Sequence, residues 1–281
     1  MRWLLLLAAT ILVSGCAEPA KFPDAAYWDR YVLSLRAEGR MRTERTPEDA
    51  PFTNADVLES FRNVIFYDEY DLGDDGRFIF KRVPRNLERQ IGPVTIEFYA
   101  SSRQRADRTH LDDIIARLRR VTGLEITEVE DAKDASIQML ILDAEERRQL
   151  ASSLPDKTGW IGIKEDLRGD MGDTLCVAYS YQSTDDPDRQ QYLIVIPDEL
   201  RGSLRQSCIE EELGQAFGPA ADWDGARPSI FNDDEEFALL TEHDEWLLRI
   251  LYHPDLRPGM SEAEAMPIAK RIIQELRPGG A

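Results

Sequence analysis

Four oxygen-bearing side chains lie close together in the sequence: Glu211, Glu212, Gln215 and Asp222. The first three fall within a predicted helix, where Glu211 and Gln215, four residues apart, project from the same side. Oxygen donors suit calcium, magnesium or manganese. A tight group of carboxyls can instead raise the pKa of one member, which suits acid–base catalysis without a metal. The alternative is that these side chains are simply the solvated face of a helix.

The helix that must position them is predicted over 203–218. Ser203 and Gln206 have the spacing of an N-terminal capping box, and Gly218 followed by proline predicts the end. An apolar stripe at i, i+4, i+7 and i+8 must face a core. Its members are Ile209, Leu213, Ala216 and Phe217.

The remaining elements alternate between helices and strands. Apolar alternation and turn residues predict strands over 94–100, 124–130, 136–143, 175–182 and 191–197. Helical periodicity predicts helices over 25–38, 54–66, 109–123, 144–151, 240–253 and 261–276. Thr241 and Asp244 are expected to cap the helix over 240–253, and Pro267 is expected to kink or delay the last helix. Glycine-containing segments predict a turn at 71–76 and a loop over 155–173 around Trp160.

The first sixteen residues, MRWLLLLAATILVSGC, have the pattern of a targeting segment. Arg2 precedes a short apolar run, and Val13 to Cys16 resembles a bacterial lipobox, which implies cleavage before Cys16 and lipid on that cysteine. The run is short for a transmembrane helix. Because residue 17 is alanine rather than aspartate, we expect a periplasm-facing protein of the cell envelope, anchored in the outer membrane.

The formal net charge is −19. Such an acidic surface repels nucleic acid and anionic lipid headgroups, so neither is an expected partner. The expected membrane link is the lipid anchor.

Cys176 and Cys208 remain once Cys16 is set aside. In an oxidising periplasm an even pair predicts a disulfide, here between a strand and the central helix. Two buried free thiols are the alternative.

The order of elements and three local matches resemble the metzincin metallopeptidases. EELGQAFG (211–218) is similar to their H-E-L-G-H-A-x-G segment, with Glu211 and Gln215 at the two histidine positions and Glu212 at the general base. Ser229-Ile230-Phe231-Asn232 resembles the Ser-x-Met-x turn beneath the metal, with Phe231 at the methionine position. Residues 240–252 resemble the helix that closes the catalytic domain.

The whole chain also resembles a bacterial lipoprotein family of unknown function, through Glu211-Glu212, Gln215, Asp222, the segment 229–233 and the segment 251–260. The two resemblances imply an α+β, metzincin-like fold with a mixed, mostly parallel sheet of four or five strands, a central helix and C-terminal helices. The expected organisation is a signal peptide over 1–15, a tether and helical extension over 16–92, and the metzincin-like domain over 93–281.

The chain lacks the histidine ligands that bind zinc in the metzincins. Catalytic zinc takes three ligands from imidazole, thiolate or carboxylate, and the chain has only His110, His243 and His253, each expected at a surface or a helix cap. We therefore expect no zinc or other cofactor. A hard cation, if bound, would take Glu211, Gln215 and Asp222 as ligands.

Two hypotheses follow. In the first, the domain is a non-catalytic peptidase relative that binds a peptide or an envelope protein by strand addition beside the central helix. In the second, it is a divergent hydrolase that uses Glu211, Glu212, Gln215 and Asp222, with Glu212 as the catalytic base. Ser229, Phe231 and Asn232 complete the predicted site.

Overall fold

The computed structural model describes residues 23–102, 104–169, 175–182 and 190–280. The predicted signal peptide and Cys16 lie outside these residues. Among the described residues, no helix combines the length and the apolar content needed to cross a membrane.

The described chain alternates between helices and strands. The helices are α1 (Ala25–Ala37), α2 (Asn54–Ile65), α3 (Gln104–Thr122), α4 (Ala144–Ser153), α5 (Ile161–Arg168), α6 (Gly202–Gln215), α7 (Glu242–Leu251) and α8 (Glu262–Leu276). The strands are β1 (Tyr67–Leu72), β2 (Phe78–Pro84), β3 (Val94–Ala100), β4 (Ile126–Val129), β5 (Ile137–Leu142), β6 (Val177–Gln182) and β7 (Gln190–Pro197). Single 3-10 turns lie at Ala132–Asp134 and Thr158–Trp160.

Five strands form one mixed sheet in the order β4-β3-β5-β7-β6. β4, β3, β5 and β7 run parallel, and β6 pairs antiparallel with β7 at the edge. This confirms the predicted mixed, mostly parallel sheet. β7 is apolar and buried over most of its length because it lies inside the sheet, with neighbours on both sides.

Helices α3 and α6 pack together, α3 against β3 and α6 against β6 and β7. Helix α7 contacts α3, and α2 packs against both α7 and α8. The buried residues of α2 belong to the same core cluster as those of the sheet. One hydrophobic core therefore joins α2 to the sheet and to α6, which lies beside the edge strand β6.

Helices α2 and α7 have N-terminal capping boxes, and that of α7 follows the sequence prediction. Thr53 caps α2, and Thr241 caps α7 with Asp244 completing the capping box. α8 begins at Glu262 and continues through Pro267, so the delayed start is wrong. Pro267 lies in the second turn of α8, where its missing N–H costs one intrahelical hydrogen bond.

Two parts of the sequence prediction missed regular structure. The turn at 71–76 is real, but it joins β1 and β2 into an antiparallel hairpin that was not predicted. The predicted loop over 155–173 contains α5. Both segments are short, and docking orders them: the Gly162 N–H donates to the Gly76 carbonyl at 2.9 Å, which joins α5 to the hairpin turn.

Candidate functional site

Helix α6 is buried on most of its surface. The predicted stripe of Ile209, Leu213, Ala216 and Phe217 is fully buried. The predicted capping box is wrong: α6 begins at Gly202 after Arg201 without a side-chain cap, and the Ser203 hydroxyl instead accepts from Arg36 at 3.1 Å. α6 ends at Gln215, three residues before the predicted end, and Gly218 lies in the turn that follows, where φ is 134° and a Cβ atom would lie 2.4 Å from Leu251.

The side of α6 opposite the stripe is not a solvated face. Glu212 is only 4% exposed, and Glu211 and Gln215 are half-buried. Tertiary packing therefore places all three polar side chains against other parts of the fold.

Glu212 has the electrostatics of an acid that keeps its proton near neutral pH. Burial and the charge of Glu69 raise its pKa to about 8, although the backbone amide of Ala178 partly offsets them. Its Oε2 atom has no hydrogen-bond partner among the described residues.

Glu211 and Asp222 share this environment. Burial, followed by the charges of Asp222 and Glu212, raises the pKa of Glu211 well above its ordinary value. Burial, followed by the charges of Glu69 and Asp233, does the same for the pKa of Asp222. The structure therefore brings Glu211, Glu212 and Asp222 together, as the site hypothesis requires.

Two further acids belong to this cluster and were not predicted as site residues. Glu69 lies on β1, and burial with the charge of Asp233 raises its pKa to about 7, against a smaller opposite effect of Arg82. Asp233 follows the Ser229–Asn232 turn, and burial raises its pKa. Carboxylate oxygens of Glu69, Asp222 and Asp233 lie within 4.8 Å of one another.

A cleft of about 940 Å³ runs along β6 beside this cluster. Tyr179, Tyr181 and Trp160 supply aromatic walls, while Glu69 and Gln215 connect the cleft to the acidic cluster. The β1–β2 hairpin covers one side through Tyr70, Leu72 and Phe78. Gln215 therefore faces the cleft.

Ser229, Phe231 and Asn232 lie away from the cleft, in the packing around α6 and α7. The Ser229 hydroxyl donates to Asp244 at 2.5 Å. Phe231 is fully buried against Gly214, whose Cβ would lie 2.9 Å from the ring. The Asn232 amide donates to the Ala226 carbonyl at 2.8 Å. Phe231 therefore packs against α6, Ser229 and Asn232 hold the loop that follows it, and none of the three lines the cleft.

Cys176 and Cys208 form the predicted disulfide, with an S–S distance of 2.05 Å. Cys176 immediately precedes β6, and Cys208 lies in the middle of α6. The bond therefore ties the start of the edge strand to the helix that carries the acidic residues.

The donor set does not fit a catalytic zinc ion. His110 Nε2 lies 3.1 Å from Glu210, and His253 follows the end of α7. His243 is fully buried beside Phe52, contrary to the expected surface or capping position. Since no imidazole or thiolate belongs to the acidic cluster, its ligands are oxygens alone, which suit hard cations. The metal-ligand set expected from the sequence, Glu211, Gln215 and Asp222, shares only Asp222 with the three-acid cluster.

Residues 54–271 match a family described as "Protein of unknown function (DUF2927)". The match covers most of the chain, and the chain belongs to this family. No curated protein and no solved structure matches the chain significantly.

Proposed function

We propose that this chain is a lipid-anchored protein of the cell envelope whose metzincin-like domain binds an extended, basic peptide segment of a partner protein. The observation that carries this proposal is the cleft of about 940 Å³ along the free edge of β6. On this proposal the domain has kept the peptide-binding groove of a peptidase without its zinc chemistry.

The order of elements supports the metzincin-like assignment. From β3 onward the chain runs from strand to helix, through four more strands that α4 and α5 interrupt, to a buried helix beside an antiparallel edge strand. Phe231 lies directly beneath Gly214 of α6, where the resemblance expects the methionine turn. In such an arrangement the groove between edge strand and central helix accepts an extended peptide.

The backbone of β6 supports strand addition. Ser180 of β6 lies opposite Tyr192 of β7. The Tyr192 N–H points away from β6, because it donates to the Ser136 carbonyl on the β5 side of β7 at 3.0 Å. In an antiparallel ladder, opposite residues either exchange both hydrogen bonds or none. The N–H and C=O groups of Ser180 therefore face away from β7, as does the Ala178 amide that interacts with Glu212. An extended peptide could pair with the Ser180 groups, whereas the Ala178 amide is already engaged by Glu212.

The charge of the cleft favours a basic peptide. Among the residues that the structure describes, its lining includes the acids Asp68, Glu69, Glu88 and Asp166 and the two basic residues Arg85 and Lys157. The net charge of the whole chain is also negative. Opposite charge on the ligand would speed association and favour the correct partner.

The test is selection of phage-displayed random dodecapeptides on the purified full chain. We expect enrichment of extended sequences that contain lysine or arginine, with binding retained in Ser180→Ala and lost in Ser180→Pro. Ser180 is exposed and its N–H does not bond to β7, so proline removes a free donor without breaking the ladder. Circular dichroism checks that both variants fold.

N-methylation of the selected peptides gives a second readout. Because only alternate residues of an added strand bond to β6, methylation should abolish binding at alternate positions. Failure to enrich any peptide above an unrelated protein of equal charge, or equal binding by Ser180→Pro, would contradict strand addition.

A divergent hydrolase is the second candidate, and one observation favours it. Glu212 is buried with a pKa raised to about 8 beside other carboxyls. Such an acid could protonate a leaving group while an ionised neighbour activates water, a division of roles that needs no metal. Pooled fluorogenic peptides and glycosides, incubated in EDTA, should then be cleaved by the parent protein and not by Glu212→Gln. Turnover that is absent, or equal in both proteins, rules this candidate out.

The envelope assignment rests on the lipobox pattern at Val13–Cys16. Metabolic labelling with a palmitate analogue should label the parent protein in the membrane fraction, and Cys16→Ser should remove the label. Ala17→Asp should shift the labelled protein from the outer to the inner membrane. A Cys16→Ser protein that remains lipid-labelled would contradict the anchor.

A further inference from the structure

Three segments that are distant in sequence bring carboxylates to one point. Glu69 comes from β1, Asp222 from the loop after α6, and Asp233 from further along that loop. Their oxygens lie within 4.8 Å of one another, which is twice a Ca²⁺–O distance of about 2.4 Å. One cation of this size could therefore contact all three.

Within the described part of the chain, no lysine or arginine forms an ion pair with these three acids. Arg82 is the nearest candidate, but its guanidinium donates to the Asn63 side chain and to backbone carbonyls of Asn63 and Asp222. It also lies over the Tyr67 ring, 4.1 Å from the centroid. The negative charge of the cluster is thus left without a bonded counter-charge from the described residues.

A buried carboxylate with an unpartnered oxygen interacts with the same cluster. Glu212 is more than nine-tenths buried, and its Oε2 atom has no hydrogen-bond partner among the described residues. Its strongest charged neighbour is Glu69, and it also acts on Asp222. Asp222 Oδ1 is likewise buried without a partner. Buried acceptors without donors are costly, and a cation would satisfy them.

We propose that Glu69, Asp222 and Asp233 form a binding site for a hard divalent cation, with Ca²⁺ as the expected ion and the buried Glu212 of α6 as a charged neighbour. The all-oxygen, carboxylate-rich set suits Ca²⁺, whose coordination geometry is flexible. Asp233 is exposed, which gives the ion a path from solvent.

The proposed ion would join two parts of the fold. Glu69 belongs to the β1–β2 hairpin that covers the cleft, whereas Asp222 and Asp233 belong to the loop after α6. Occupancy would therefore fix the hairpin relative to α6. The proposal does not depend on peptide binding or on catalysis.

The experiment is calorimetric titration of CaCl₂ into the EDTA-treated, dialysed full chain, with thermal unfolding followed in parallel. We expect one Ca²⁺ per chain, with an affinity in the micromolar to millimolar range, and a rise in Tm on binding. Glu69→Gln, Asp222→Asn and Asp233→Asn should each weaken binding at least tenfold.

Asp74→Asn is the matched control. It removes the same charge from the same hairpin, but Asp74 is exposed in the turn and lies outside the three-acid cluster. Its Ca²⁺ affinity should equal that of the parent. Thermal unfolding in EDTA checks that each variant folds. The three cluster variants should have a Tm at least as high as that of the parent, because replacing a carboxylate by an amide removes repulsion within the cluster.

Two results would overturn the proposal. One is the absence of stoichiometric Ca²⁺ binding, including the case in which zinc alone binds. The other is equal weakening by Asp74→Asn and Asp233→Asn, which would indicate diffuse attraction to an acidic surface. Peptide selection in EDTA separates this failure from failure of the peptide-binding proposal.

Discussion

The ring of Phe78 on β2 stacks on the ring of Tyr179 on β6, with centroids 5.7 Å apart and planes inclined by 27°. This contact joins the hairpin to the edge strand across the cleft. Phe78 also lies against Gly162 of α5, where a Cβ atom would be 2.8 Å from the ring. The hairpin is therefore held over the cleft by an aromatic side chain that remains 37% exposed.

Phe78→Ala should loosen the hairpin without unfolding the domain. An aromatic pair contributes about 0.5–1.5 kcal/mol beyond the burial of its area, so we expect roughly tenfold faster hydrogen exchange at the amides of β1 and β2. Phe80→Ala is the control, because Phe80 is 73% exposed and its ring contacts Tyr70 within the hairpin. Equal exchange in the two variants would mean that the Tyr179 contact does not hold the hairpin.

Glu212 should make the protein less stable as pH rises. Between its ordinary pKa of 4.5 and the raised value of about 8, the unfolded chain releases this proton while the folded chain keeps it. Stability therefore falls through that window, by an amount on the order of a few kcal/mol. Below pH 4.5 both states hold the proton and the effect vanishes.

Glu212→Gln should remove this dependence. Urea unfolding in EDTA should show the variant close to the parent at pH 4.5 and more stable than the parent at pH 8. Glu130→Gln, an exposed position after β4 at the opposite edge of the sheet, should leave the parent's pH profile unchanged. A Glu212→Gln protein that loses stability with pH as steeply as the parent would contradict the assignment.

The disulfide should contribute to stability mainly through the unfolded chain. Its cysteines are 32 residues apart in sequence, for which the chain-entropy relation gives about 3–4 kcal/mol. The double variant Cys176→Ala/Cys208→Ala should lose about this amount in urea unfolding, plus a packing cost because Cys208 is only 1% exposed. Dithiothreitol should lower the unfolding free energy of the parent and leave that of the double variant unchanged. An equal loss in both proteins would mean that the loss does not come from reduction of this disulfide.

The fully buried carboxylate of Glu210 forms an ion pair with the partly exposed Arg45, on the side of α6 opposite the cleft cluster. Two guanidinium nitrogens lie 2.8 and 2.6 Å from the carboxylate, which is fully buried and also accepts the Leu240 amide. Arg45→Ala should cost about 3–5 kcal/mol because it leaves a buried charge without its partner. The exposed pair Lys133–Asp131 provides the control, and Lys133→Ala should cost under about 1 kcal/mol. A similar loss of unfolding free energy in Arg45→Ala and Lys133→Ala would show that Glu210 is not ionised in the folded protein.

The periodic parts of the chain could be predicted from sequence because their signals are local. The five sheet strands, the stripe of α6 and the Thr241–Asp244 cap depend on residues within a few positions of one another. The hairpin β1–β2 could not be found in this way. Its strands are half-exposed and irregular in pattern, and they are ordered by contacts with α5 and β6.

Local patterns in the sequence were sufficient to predict the helix that presents Glu211, Glu212 and Gln215, the pairing partners Cys176 and Cys208, and the lack of zinc ligands in that helix. Which acids meet depends instead on how distant segments pack. Glu69 reaches Asp222 and Asp233 across more than 150 residues of chain because the hairpin docks over the cleft. The same packing buries Glu212, which turns a polar helix position into an acid with a raised pKa. Proximity and desolvation depend on packing between distant segments, and no local spacing in the sequence records them.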